Sequence, residues 1–256
     1  MIQKIVLIGA GNLATQLAKA LRRNGLEVVQ VYSRTEASAK ALAQLLECPY
    51  TTSLDELEPC DLCMVSVKDD ALETVLRQIQ LETIVVHTAG SIPMEPLAGY
   101  FKNFGVFYPL QTFSKQREVD FSNIPICLEA SSAEVFADLQ ALGEKLSSLV
   151  QPVNSEARKV LHLAAVFTCN FVNHCYQIGD SMLEEKGLSF DLLKPLIQET
   201  AQKIMDIKPI DAQTGPAVRM DETIIKKHLD LLADQAERKR IYQLVSESIY
   251  KTQITK

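Results

Sequence analysis

The chain has 256 residues, 47% of them hydrophobic, with 26 Lys and Arg against 32 Asp and Glu for a formal charge of −6. Such a length permits two domains, the ordinary apolar and charged fractions exclude a disordered chain, and the acidic balance leaves no electrostatic footprint for nucleic acid or an anionic membrane. No apolar run reaches the ~18 residues of a membrane span, so a small molecule is the expected partner.

Met1 leads almost at once into an apolar run, which leaves no room for a signal or transit peptide. The cysteines at 48, 60, 63, 127, 169 and 175 are scattered, as expected of reduced thiols, and a cytoplasmic location follows. Cys60 and Cys63 form a C-x-x-C, but no second pair follows and the segment reads as the entry to an apolar strand. No metal site is expected.

Lys4 to Ile8 reads as a buried strand running into Gly9-Ala10-Gly11-Asn12-Leu13-Ala14 and then a helix. In this G-x-G-x-x-A turn, Gly9 allows the bend, Gly11 allows the backbone to approach a pyrophosphate, and Ala14 lets the helix sit close to the strand. The unpaired N–H groups of Asn12 and Leu13 at the helix start then face the phosphates. Nicotinamide, flavin and S-adenosylmethionine sites all share part of this turn.

A second strand, Glu27 to Tyr32, ends in Ser33-Arg34 where NAD enzymes usually carry an acid for the ribose 2′-hydroxyl. A hydroxyl followed by a guanidinium suits a 2′-phosphate, so NADP is favoured over NAD. Glu36 to Leu46 is the next helix, Cys48 to Thr51 a short edge strand, and Asp61 to Val67 another buried strand. Ligands of doubly wound sheets lie beyond the strand carboxyl ends, which puts Val67 and Lys68 beside the cofactor groove and His87, ending the strand from Thr83, near the nicotinamide end.

Phe104 to Phe107 gives one more strand, followed by the loop Tyr108-Pro109-Leu110-Gln111-Thr112-Phe113. Ile124 to Glu129, a helix from Ser132 to Leu146 and a strand from Ser148 to Val153 complete a doubly wound, mainly parallel α/β half. From Pro152 onward the pattern is all helical, so residues 1–152 are expected to bind the dinucleotide and residues 153–256 the substrate and a second subunit.

The first helix of the second half runs from Ser155 to Lys186, about 48 Å long, capped by Asn154 and ended by Gly187. At about 100° per residue, His162, Cys169, Asn173 and Asp180 share a stripe, with Asn170 and Gln177 at its shoulder. The rest of the circumference is largely apolar, so a mostly buried helix is expected. His162 is the best acid/base candidate, and Asn170, about 12 Å further along the axis, is the residue to bracket a substrate with it. After a helix from Ser189 to Asp206, Thr214 to Asp221 forms a turn in which Arg219 is placed to hold an anionic group and Asp221 to cap the helix that follows.

The segments GAGNLA, HTAGS from His87, YPLQTFS from Tyr108, HLAAVFTCNF from His162 and TGPAVRMD from Thr214 resemble an uncharacterised family of NADP-dependent oxidoreductases. That family joins a Rossmann-like domain to a helical domain of unknown function and is related to pyrroline-5-carboxylate reductase and, further off, to 6-phosphogluconate dehydrogenase. The resemblance implies a homodimer through the C-terminal helices and an active site in the interdomain cleft. Met220 stands where the family tends to have Gly, and the Gly-Gly-Thr-Thr type segment of pyrroline-5-carboxylate reductase is missing.

The expected function is thus hydride transfer between NADP and a small polar carbonyl, imine or alcohol, with His162 and Asn170 catalytic and Gln111 and Arg219 holding the substrate. A non-catalytic NADP sensor that presents its helical domain to a partner is the alternative.

Overall fold

The structure is a computed structural model that describes residues 2–255. Its strands are β1 (Lys4–Ile8), β2 (Glu27–Tyr32), β3 (Tyr50–Thr51), β4 (Leu62–Val65), β5 (Ile84–His87), β6 (Phe104–Pro109), β7 (Ile126–Ala130) and β8 (Val150–Pro152). They form one sheet ordered β3-β2-β1-β4-β5-β6-β7-β8. Every pairing is parallel except β6 with β7, which is antiparallel. β1 has β2 on one side and β4 on the other, so the winding reverses at its carboxyl end, where open α/β sheets bind ligands.

The alternation along β1 explains the layers. Ile5 and Leu7 face a core shared with the helices α1 (Asn12–Arg23), α2 (Glu36–Leu46) and α4 (Ala133–Leu146). Val6 and Ile8 face a second core shared with α3 (Asp69–Leu76) and the short turn Glu95–Gly99. Both sheet faces are thus covered, which is why the strands read as unbroken apolar runs. β6 runs two residues beyond its predicted end, because Tyr108 and Pro109 pair with Cys127 and Ile126 of β7.

The helical part comprises α5 (Ser155–Ala165), α6 (Val172–Glu184), α7 (Lys194–Asp206), α8 (Pro209–Ala212), α9 (Glu222–Leu231) and α10 (Ala236–Ile254). Asn154 caps α5 through the Ala157 N–H, and Gly187, at φ +68°, follows the end of α6. Pro195 lies in the first turn of α7, where its missing N–H costs nothing. A π-helical turn, Val166–Phe171, joins α5 to α6. Each π turn holds one residue more than an α turn, so the polar stripe predicted at constant phase slips by about 100° beyond it. The chain divides into two compact units, one ending at Asn170 and the other beginning at Phe171. This is later than the predicted change at 152, since α5 belongs with the sheet.

The expectation of a mostly buried long helix fails: Val160, Leu163 and Phe167 are each more than half exposed, and no residue of α6 is buried. Among the described residues of the second unit the buried ones are Ala217, Leu232 and Ser246. An open apolar groove of about 610 Å³ there is bordered by Ile178, Met182, Leu231, Ile241, Val245 and Ile249.

Candidate functional site

The turn after β1 is shaped by its two glycines in different ways. Gly9 has φ +117°, and a Cβ on it would stand 2.1 Å from the Ser66 carbonyl oxygen beyond β4. Both conformation and space therefore demand glycine. At Gly11 a Cβ would meet nothing within 4 Å, so the backbone there faces open space. Gly11 precedes α1 without a side-chain cap, and the first turn of α1 has no acidic residue. The N–H groups of Asn12, Leu13 and Ala14 have no intrahelical partner, which makes this end an anion receiver. Leu13 is half-buried against the core, and the Asn12 amide donates to the Phe113 carbonyl at 3.1 Å.

Ser33 and Arg34 follow the end of β2. Arg34 is exposed, with no hydrogen-bond or ion-pair partner among the described residues. The nearest acid in sequence, Glu36, accepts from the Tyr50 hydroxyl at 3.2 Å. Val67 packs against the second core, and Lys68 is exposed as the residue before α3. These residues all border the reversal point of the sheet. A pyrophosphate facing Gly11 and a 2′-phosphate facing Arg34 fit the groups present.

His87 is different. It is fully buried, its Nδ1 accepts from the Ala89 N–H at 3.1 Å, and its Nε2 lies 3.2 Å from the Pro93 carbonyl. With Nδ1 an acceptor, Nε2 carries the proton and donates it. Burial pushes its pKa down to about 4, so at neutral pH the ring is an uncharged clamp on the loop after β5.

Beside that loop stands a group drawn from β6, β7 and α5. Arg158 is fully buried, and its guanidinium is paired with Glu129 and donates to the Ile92 carbonyl at 2.8 Å. The Ser155 hydroxyl donates to Glu129 and accepts from the Met94 N–H at 2.9 Å. These bonds fix the first turns of α5. One turn on, His162 is half-buried, with Nδ1 2.9 Å from the Tyr108 hydroxyl. Burial raises Tyr108 to about 12.

Other candidates are not brought into this group. Asn170 is exposed in the π turn, and its side chain makes no hydrogen bond among the described residues. Gln111 is exposed, and its side-chain oxygen accepts from the N–H of Thr112, its own neighbour, at 2.8 Å. Arg219, exposed and without an ion-pair partner among the described residues, lies in the second unit, where Asp221 caps α9 through the Ile224 N–H. Met220 takes the left-handed conformation, φ +50°, that a glycine would adopt there without strain. Cys63 is sealed in β4 and Cys60 is raised to about 11 by burial, so this C-x-x-C holds two inert thiols.

Sequence reading missed Tyr108, Gly90, and the Arg158–Glu129 pair. Arg158 precedes His162 by four residues, so the two share a helix face; that spacing was the available signal.

The sheet order and the open glycine turn define a Rossmann-type dinucleotide-binding architecture followed by helices. Residues 4–90 match the family described as NADP oxidoreductase, coenzyme F420-dependent, and residues 124–249 match a domain of unknown function, DUF2520. A Bacteroides fragilis protein described as a "putative NADP oxidoreductase" is 53% identical, with 98% of each chain covered and a TM-score of 0.92. The chain belongs to the family of that protein. A Thermotoga maritima protein (20% identity, 98% of each chain, TM-score 0.71) and the 1-pyrroline-5-carboxylate reductase of Streptococcus pyogenes (17%, 97% of this chain and 98% of that one, 0.67) share the fold. No curated protein matches the chain.

Proposed function

We propose that the chain is an NADP-dependent oxidoreductase acting on a small polar carbonyl, imine or alcohol. The observation that carries this reading is the open anion receiver at Gly11, with the unpartnered Arg34 at the neighbouring strand end. The description of the Bacteroides fragilis relative supports it. The N–H groups of Asn12 and Leu13 would hold the pyrophosphate, Ser33 and Arg34 the 2′-phosphate, and Val67 and Lys68 the edge of the groove. His87, with both nitrogens occupied, would shape the nicotinamide end only through the loop it clamps. When bound, NADPH supplies a hydride equivalent.

The accompanying proton must come from the chain or solvent, and His162 is the candidate donor. Among the described residues its Nε2 has no hydrogen-bond partner, and Arg158 Nε is the buried side-chain atom without one, so Nε2 is not sealed from solvent. Asn170 and Gln111 would orient the substrate and Arg219 its anionic end.

Self-association through the C-terminal helices is part of the same proposal, supported by their exposed apolar side chains. No helix among the described residues is long and apolar enough to cross a membrane; a cytoplasmic location is proposed with the rest.

Calorimetric titration tests the cofactor. NADPH binds more tightly than NADH, and Arg34→Ala weakens NADPH by about tenfold or more, the worth of a charge-assisted hydrogen bond, while sparing NADH. Failure of both nucleotides to bind refutes the reading. With a substrate found by screening NADPH consumption, His162→Ala lowers kcat about a hundredfold or more without changing NADPH affinity; unchanged turnover removes His162 from the reaction.

A further inference from the structure

Tyr108 stands at the antiparallel junction of β6 and β7, opposite Cys127, and is 8% exposed. Its ring meets that of His162 edge to face, with centroids 6.1 Å apart. With its pKa raised to about 12, the phenol keeps its proton at neutral pH, and His162 Nδ1 is its hydrogen-bonding partner. A phenol is a stronger donor than a neutral imidazole N–H, and the bare imidazole nitrogen a better acceptor than a phenol oxygen, so in the favoured neutral arrangement the hydroxyl donates to Nδ1 and the ring proton sits on Nε2. When the ring takes a second proton, Nδ1–H donates to the same oxygen, because a hydroxyl accepts as readily as it donates. A carboxylate in this position would only accept and would trap the charged ring.

Space for the pair depends on Gly90. A Cβ there would lie 2.5 Å from His162 Nδ1 and 2.8 Å from Tyr108 Cζ. The tyrosine is walled in by Val106 and Cys127 and cannot retreat. Nor can the helix shift freely, because Ser155 and Arg158 bind it to β7 and to the loop after β5.

We propose that Tyr108 is the positioning residue for His162: it holds Nδ1 in both protonation states, so that Nε2 stays free as the proton-transferring atom, in space left by Gly90. The proposal rests on the reading of His162 as the acid of a reduction. There the imidazolium releases its Nε2 proton to the substrate oxygen or nitrogen, whose π pair forms the new bond while the substrate carbon is reduced by the nicotinamide hydride. The transfer leaves the ring transiently as the Nδ1–H tautomer, donating to Tyr108; it recovers the Nε2 proton from solvent, and when the ring then loses a proton at rest it is the one on Nδ1, which restores the Nε2–H form. Tyr108 itself gives up no proton, since a buried phenolate would result.

Long-range proton–nitrogen correlation spectra of the isotopically labelled full-length chain test this without substrate or cofactor. His162→Asn identifies the His162 signals among those of the four histidines. In the parent protein the neutral ring shows one tautomer, with Nδ1 unprotonated and Nε2 protonated. Tyr108→Phe, which keeps the ring, moves both nitrogens to tautomer-averaged shifts. Gly90→Ala does the same by displacing the pair, and serves if the first variant melts early. A parent ring protonated at Nδ1, or shifts unchanged in Tyr108→Phe, overturns the proposal. A single fixed tautomer in a protein that binds neither nucleotide would instead defeat the oxidoreductase reading and leave the anchoring of His162 intact.

Discussion

His87 and His162 are held in opposite ways, and the difference decides what each does. Both nitrogens of His87 are spent on backbone groups inside the protein, whereas His162 keeps one nitrogen accessible. His87 is therefore a stability element with a pH signature. Its folded pKa, about 4, lies below the ordinary histidine value of 6.5, so between those limits the unfolded chain binds more protons and stability rises with pH. Acidification from pH 7 to 5 should remove about 2 kcal/mol, read from urea midpoints at the two pH values. His87→Asn should be weaker at pH 7 yet show less of this acid loss; an unchanged pH slope would place the protons elsewhere. The position of His87 at a strand end was legible in the sequence. Its burial was not, because the Ala89 and Pro93 backbone that encloses it is brought there by a loop whose path no periodicity reveals.

At the scale of elements, the loop after β6 is tied to the helix that opens the nucleotide site. Gln16, only 2% exposed on α1, donates to the carbonyls of Ser114 at 2.6 Å and Arg117 at 2.9 Å, and Asn12 reaches Phe113. Gln16→Ala should cost about 1–2 kcal/mol and release the loop, speeding tryptic cleavage at Lys115 or Arg117 in the folded protein. Equal cleavage rates would mean that the loop is held by other contacts. Gln16 was visible as a polar residue on an otherwise apolar helix face, but its partners lie about a hundred residues away in sequence. Most strands and helices were readable because apolar runs and caps are local: β2 and α2 fall where their patterns put them. The π turn was hidden, since a hydrophobic stripe projected at fixed phase cannot register an inserted residue. That is why Asn173 and Asp180, which lie beyond the turn, were given a shared face with His162.

For the molecule as a whole, the two units differ in kind. Residues up to 170 enclose two cores around a sheet, whereas the rest bury few side chains and expose Leu192, Leu196, Met205 and Leu231 to more than three-fifths of their area. Apolar area of that extent favours association. Small-angle scattering should give a mass of two chains at micromolar concentration, and Leu196→Glu or Leu231→Glu should reduce it. A single-chain mass in the parent protein would contradict the proposed dimer.

The scarcity of buried side chains after Phe171 also bears on biogenesis. The sheet-bearing part emerges from the ribosome first and can close on itself while translation proceeds at about 5–20 residues per second. The final helices bury few of their own side chains, and if the proposed dimer forms, their greasy surfaces stay open until a second copy is met. Newly made protein would then pass through a sticky interval whose length depends on how many copies are already present, so dilute expression should favour chaperone capture.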